Sequence, residues 1–329
     1  MRKFEIMLGG LALIVLSGSV TYYLVNHPIR SEQGPMPLGT GTKGAISLSP
    51  TDIIKKPQAT PLGAEDANSS RQRAQREVII DPLWKPGNSR VEEAKPVTEN
   101  LDFVKPVWSP VGMDIAVTKS NLSGIYITGA AIKDPRTLTE DANAGIFYKW
   151  NIDGMSLLFQ ESEGRYANLL ITGEKYPAPV PPRRIFEQDG VIYFQPEDGD
   201  PFRVSGSQDR FFNPVLSPDE KKVAYQGRET GIYFANIDAS NATSVGRGSN
   251  PSWLPDSTGI VYDVPVDDGA SAIDGDLWFA SIDGSERTNL TNTPGIAESF
   301  PSVSPTGGSL AFSSDGGIYV GKFVRGKSK

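Results

Sequence analysis

The sequence predicts an all-β fold, a six-bladed β-propeller preceded by one N-terminal transmembrane helix and a long Pro-rich linker. Three observations lead there. Turns built on Pro, Asp or Gly recur six times after residue 101, at intervals of about 30 to 50 residues. Each is followed by a short run of β-branched and aromatic residues, often ending in Gly-x-Ile-Tyr. The chain is also rich in turn formers, with 34 Gly and 26 Pro in 329 residues.

The first element is apolar. Residues 4–25 carry one charge, Glu5, and Arg2 and Lys3 precede them. A helix of that length, at about 1.5 Å per residue, reaches across a bilayer core of about 30 Å. Tyr22 and Tyr23 sit near its far end, where amphipathic rings favour the interface. Residues 1–26 therefore read as a single-pass anchor in the cytoplasmic membrane. The N-terminus is inside, and the propeller is in the periplasm or extracellular space. The competing reading is a cleaved signal peptide with its apolar stretch at 6–16 and small residues at Ser17, Gly18 and Ser19.

Residues 27–100 lack a sustained period of 2 or 3.6, and prolines from Pro28 to Pro96 interrupt them. They read as a flexible tether with an r.m.s. reach of about 45–50 Å. One patch, 69–84, differs. Ser69 and Ser70 can cap a short helix, followed by Val78, Ile79, Ile80, Leu83 and Trp84. This patch either clasps the head domain, docks a partner through those five residues, or is plainly disordered.

Residues 101–329 hold the repeats. The first copy runs Pro106-Val107-Trp108-Ser109-Pro110 and then Gly124-Ile125-Tyr126. The second covers Tyr148–Phe159, and a degenerate third covers Phe186–Phe194. The fourth opens Pro214-Val215-Leu216-Ser217-Pro218, the fifth Pro251-Ser252-Trp253-Leu254-Pro255, and the sixth Pro301-Ser302-Val303-Ser304-Pro305. Pro sets φ, Asp caps the turn and Gly supplies φ > 0 before the next strand. A four-stranded sheet cannot bury both faces alone, so six such units stack around an axis. A propeller needs its ring closed, and Leu101–Val104 is the expected closing strand beside the last blade.

The run Arg287-Thr288-Asn289-Leu290-Thr291-Asn292-Thr293-Pro294-Gly295, leading into Phe300-Pro301-Ser302-Val303-Ser304-Pro305, resembles the TolB-type propeller repeat. The resemblance covers about 101–325 and implies a six-bladed propeller. Such repeats serve in scaffolds, receptors and enzymes alike.

Composition narrows the function. Lys+Arg 32 against Asp+Glu 39 gives a net charge of −7, so nucleic acid is not an expected partner. The chain has no Cys and one His, His27, so thiolate catalysis, a Ser-His-Asp triad and a multi-histidine metal site are excluded within one chain. On that basis the expectation is a non-enzymatic interaction module, an accessory subunit or scaffold of an envelope or membrane protein complex. The alternative is a ligand- or glycan-binding receptor, or a carboxylate-based glycan-active enzyme, using the central funnel. No cofactor is expected beyond one candidate calcium loop, Asp263, Asp267, Asp268, Asp274 and Asp276, whose oxygens suit that cation. Trp108, Trp150 and Trp253 recur at turn-to-strand positions and read as blade-packing residues.

Overall fold

A computed structural model describes residues 13–16, 19–22, 84–98, 102–129, 132–161, 164–267 and 272–326. Of the apolar stretch 4–25 it describes two pieces, β1 (Leu13–Leu16) and β2 (Ser19–Tyr22), paired antiparallel. The helix expected there is not shown. The β-branched Ile14, Val15, Val20 and Thr21 suit the strands, and the rest of 4–25 lies outside the described residues. Among the described residues no helix is long and apolar enough to cross a membrane.

The remaining strands form six sheets in ring order. Blade 1 holds β4 (Phe103–Trp108), β5 (Ile115–Lys119), β6 (Ile125–Gly129) and β7 (Ile132–Thr139). Blade 2 holds β8 (Tyr148–Trp150), β9 (Ser156–Gln160), β10 (Tyr166–Leu170) and β11 (Lys175–Ala178). Blade 3 has three strands, β12 (Arg184–Gln188), β13 (Val191–Gln195) and β14 (Phe202–Arg203). Blade 4 runs β15 (Phe211–Leu216), β16 (Lys222–Gly227), β17 (Gly231–Asn236) and β18 (Thr243–Gly246). Blade 5 runs β19 (Ser249–Trp253), β20 (Gly259–Asp267), β21 (Ala272–Ser281) and β22 (Arg287–Asn289). Blade 6 takes β23 (Glu298–Val303), β24 (Ser309–Ser314) and β25 (Gly317–Val324) from the C-terminal end, and its fourth strand is β3 (Arg90–Pro96).

The closing strand is therefore Arg90–Pro96 and not Leu101–Val104. Val324 pairs with Arg90, Phe323 with Val91 and Tyr319 with Pro96. Phe103–Trp108 is instead the innermost strand of blade 1. The segment before β3 is also held. Arg287 N donates to Lys85 O at 2.8 Å, Thr288 Oγ1 to Gly87 O at 3.3 Å, and Ser89 N to Glu286 Oε1 at 3.1 Å.

The third repeat is phased differently from its sequence reading. Phe211 N donates to Gly190 O, as Phe103 N donates to Gly316 O. Phe186 stacks on Tyr193, as Tyr225 does on Tyr233 and Phe312 on Tyr319. Asp189-Gly190 is thus equivalent to Asp315-Gly316, the turn between a blade's second and third strands. Strands β12, β13 and β14 are the second, third and fourth of blade 3. The inner strand is missing because the chain ahead of β12 reads Pro179-Val180-Pro181-Pro182. Three prolines in four residues leave too few N–H donors for a ladder.

Five apolar clusters fill the seams between blades. They join blades 1 and 2, 3 and 4, 4 and 5, 5 and 6, and 6 and 1. Among the described residues no such cluster joins blade 2 to blade 3. The seam between blades 4 and 5 also takes Trp84, which is buried and meets Phe234 edge-on with centroids 6.5 Å apart. Truncation at Trp84→Ala should cost about 3 kcal/mol of unfolding free energy in urea titration. A loss below about 0.5 kcal/mol, the range of neutral surface changes, contradicts its place in that seam.

Candidate functional site

The turns that join first to second strands lie on one face of the ring and make one mouth of the central channel. They are Ser109–Asp114, Asn151–Ser156, Ser217–Lys222, Leu254–Gly259 and Ser304–Ser309. Each is closed by the N–H of its fourth residue donating to the carbonyl of its first, as Gly112 N does to Ser109 O at 2.9 Å. That fourth residue has φ > 0 in all five, at Gly112, Gly154, Glu220, Ser257 and Gly307. The turns touch in sequence around the mouth. Asp219 N donates to Ser257 Oγ at 3.0 Å, and Gly307 packs under Pro255. Gly112 lies beneath Pro305, and a Cβ on Gly154 would sit 3.0 Å from Val111.

The mouth is not uniform. In blades 4 to 6 the turns present Asp219, Glu220, Lys221, Asp256, Thr258 and Thr306. In blades 1 and 2 they present Val111, Met113, Ile152 and Met155, with Met113 76% and Ile152 97% exposed. Asp114 and Asp153 are the charged residues of these two turns, and neither turn holds a Lys or Arg. A contiguous apolar sector on an otherwise polar rim is the kind of surface that marks an interaction site.

Inside the channel wall, four inner strands share one device. Lys105, Asn213, Asn250 and Phe300 each adopt φ > 0 immediately before a proline, and each marks a shift of register in the ladder. Such bulges free backbone N–H groups that the neighbouring blade must satisfy. Lys105 N donates to Ser313 Oγ at 3.0 Å, and Phe300 N to Asp263 Oδ1 at 3.0 Å. Ser313 and Asp263 hold the same place on their second strands, as do Thr118 and Gln226. Further in, Trp108 N donates to Ser302 Oγ and Val303 N to Ser252 Oγ. The indoles of Trp150 and Trp253 donate to Val107 O and Val215 O across a blade boundary, both at 2.9 Å. The packing role expected of these tryptophans follows from those bonds.

Two of these stitching groups titrate abnormally. Burial pushes the Asp263 carboxyl up to about 7, against the pull of the Asn250 amide and the Phe300 N–H. Burial lowers the Lys105 ammonium to about 8, where it donates to the carbonyls of Gly145 and Ile146. Among the five first strands, β4, β8, β15, β19 and β23, Glu298 is the one carboxylate. Its Oε1 accepts from Thr293 Oγ1 at 2.8 Å, and burial raises its pKa.

The calcium loop does not assemble in the described residues. Asp263 pairs with Leu277, whereas Asp276 pairs with Val264 and Asp274 with Val266, so the hairpin puts Asp263 on one face and the other two on the opposite face. Asp276 accepts from Asn289 Nδ2 and Thr293 N, and Asp274 from Gly275 N. Asp267 is described by its backbone alone, and Asp268 lies outside the described residues. No group of three acidic or histidine side chains able to hold a metal occurs among the described residues. Of the expected docking patch, Trp84 is committed to the seam between blades 4 and 5, while Val78, Ile79, Ile80 and Leu83 lie outside the described residues.

A small depression of about 160 Å³ is lined by Asp141, Ala142, Glu161, Arg165 and Lys175. Lys175 bridges Asp141 at 2.8 Å and Glu161 at 2.7 Å, which holds Asp141 below the usual carboxylate range and raises the lysine. Its charges satisfy one another.

No protein-family profile matches the chain, and no curated protein matches it by sequence. Solved structures do. A gluconolactonase from Xanthomonas campestris is 12% identical over 74% of this chain and 98% of its own, with a TM-score of 0.50. A chain of a mitotic checkpoint complex is 15% identical over 82% and 99%, with a TM-score of 0.48. A protein assigned as TolB from Agrobacterium tumefaciens is 18% identical over 69% and 79%, with a TM-score of 0.34. The likeness is one of fold, and the six sheets form the six-bladed propeller that the TolB-type repeats imply. It also corrects the expectation that the chain is not an enzyme. A propeller fold is shared with a gluconolactonase, so the fold itself can carry an enzyme and is no ground for calling the chain non-enzymatic.

Asp263 generates a prediction. Its native pKa of about 7 exceeds the ordinary 3.8, so the stability it confers is full below pH 4 and is lost as pH rises through 7. The stability of Asp263→Asn relative to wild type should therefore improve steadily from pH 4 to 8. A difference that is flat across that range contradicts a buried, hard-to-ionise carboxyl.

Proposed function

We propose that the chain is a membrane-tethered, extracytoplasmic propeller that works as a protein-interaction module within an envelope complex. Its contact surface is the sector of the mouth in blades 1 and 2. The observation that carries this reading is the exposure of Val111, Met113 and Met155 at turn positions that hold Asp, Lys, Thr or Gly in blades 4 to 6, together with Ile152, which stands where the other four turns hold proline. Full burial of an Ile or Met side chain is worth about 1.5–3 kcal/mol, so a few such anchors account for much of a specific contact. The apolar run 4–25 supports tethering, and the proline-interrupted stretch after it supports a head held clear of the bilayer.

The test is photocrosslinking of the full chain in its native membrane, from probes at positions 113, 152 and 306. Probes at 113 and 152 should capture one common neighbour, and Ile152→Asp should reduce its yield from position 113 at least tenfold. No neighbour at either position, or the same neighbours from position 306 in blade 6, contradicts the assignment.

A further inference from the structure

Blade 3 carries a feature that the mouth patch does not use. Its second strand, β12, is the innermost strand of its sheet, so one edge of it faces the channel with no ladder partner among the described residues. Among the described residues, no backbone hydrogen bond ties 179–183 to that edge. Side-chain burial agrees. The second-strand residues Ala116, Ala224 and Ala311 are fully buried, whereas their counterpart Ile185 is only half-buried. Glu187 stands where Thr118, Asp263 and Ser313 are buried, and it is exposed. Pro179, Val180, Pro182 and Arg183, which lead into β12, are exposed as well. A donor on the edge strand itself is also unanswered: Arg184 Nε is buried and has no acceptor among the described residues.

We infer that β12 is an acceptor edge, and that an extended segment of a protein partner adds to it as the missing inner strand of blade 3. The sister blades define the occupant. In each of the other five blades a first strand lies antiparallel on the second strand, so the segment runs antiparallel to β12. Main-chain hydrogen bonds would give affinity, and alternate side chains would fill the seam between blades 2 and 3, which lacks an apolar cluster of its own. An acidic residue or a backbone carbonyl placed beside Arg184 would answer its Nε. Until it is filled, Arg184 and Glu187 put charges along the edge, the usual protection of an exposed strand against pairing with copies of itself. This inference stands apart from the apolar mouth sector, since it rests on blade 3 alone.

Hydrogen exchange of the full chain tests it, with a synthetic peptide of the blade 4 inner strand, residues 209–219, as the probe. In the free protein the amides of 184–188 that do not bond β13 should exchange at loop-like rates, while those of β16 stay slow. The peptide should slow the β12 amides at least tenfold and saturably, and a scrambled peptide should not. Arg184→Ala should weaken the effect about tenfold. Slow β12 exchange in the free chain would mean that its own residues already cover the edge, and it overturns the inference. So does the absence of peptide protection at millimolar concentration.

Discussion

Everything in this molecule hangs on the pairing of Arg90–Pro96 with Gly317–Val324. Five blades are each made from one continuous stretch of chain, and blade 6 alone is assembled from both ends. A ring of sheets that is not closed leaves an open edge and one unpacked seam, at considerable cost in buried apolar area. Closure also fixes where the N-terminal region leaves the head. The strap of residues 84–89 crosses the outer strand of blade 5, and Gly326 N donates to Ser89 Oγ beside it.

Within the closed ring, the seams are held in two ways at once. Apolar clusters give most of the stabilisation, and polar groups on second strands satisfy the bulged backbone of the next blade. Ser313 serving Lys105 and Asp263 serving Phe300 are the same device with different chemistry. A hydroxyl does this at no electrostatic cost, whereas burial makes the Asp263 carboxyl hard to ionise and pushes its pKa up to about 7. Blade 3 departs from the scheme, because it has no inner strand to bulge. Apolar clusters therefore support five seams, and among the described residues none supports the seam between blades 2 and 3, next to the apolar sector of the mouth.

Much of this was legible in the sequence, and the misses have physical causes. The first-to-second-strand turns were readable because Ser-Pro and Gly in fixed order specify φ at successive positions. The third repeat was misphased because Asp189-Gly190 is a turn signal too, though it belongs to the following hairpin, and three nearby prolines had removed the strand that should precede it. The closing strand escaped notice since Arg90-Val91-Glu92-Glu93-Ala94-Lys95-Pro96 is an outermost strand. Its exposed side chains show no apolar alternation. Asp263 looked like one member of an acidic loop, yet the two-residue period of the hairpin turns it away from Asp274 and Asp276. The mouth sector becomes visible only once the turns are superposed, when Val111 stands against Asp219, Asp256 and Thr306, Met113 and Met155 against Lys221, Thr258 and Gly308, and Ile152 against prolines.

The measurement that bears most directly on this account uses the absence of cysteine from the chain. Lys95 and Val320 are ladder partners across the closing pair. With Lys95→Cys and Val320→Cys introduced together, mild oxidation of the folded protein should give one intramolecular disulfide, nearly quantitatively. The crosslinked ring should melt at a higher temperature than its reduced form. Thiols that stay free in the folded protein, or that pair only between molecules, would show that the ring is not closed by this strand.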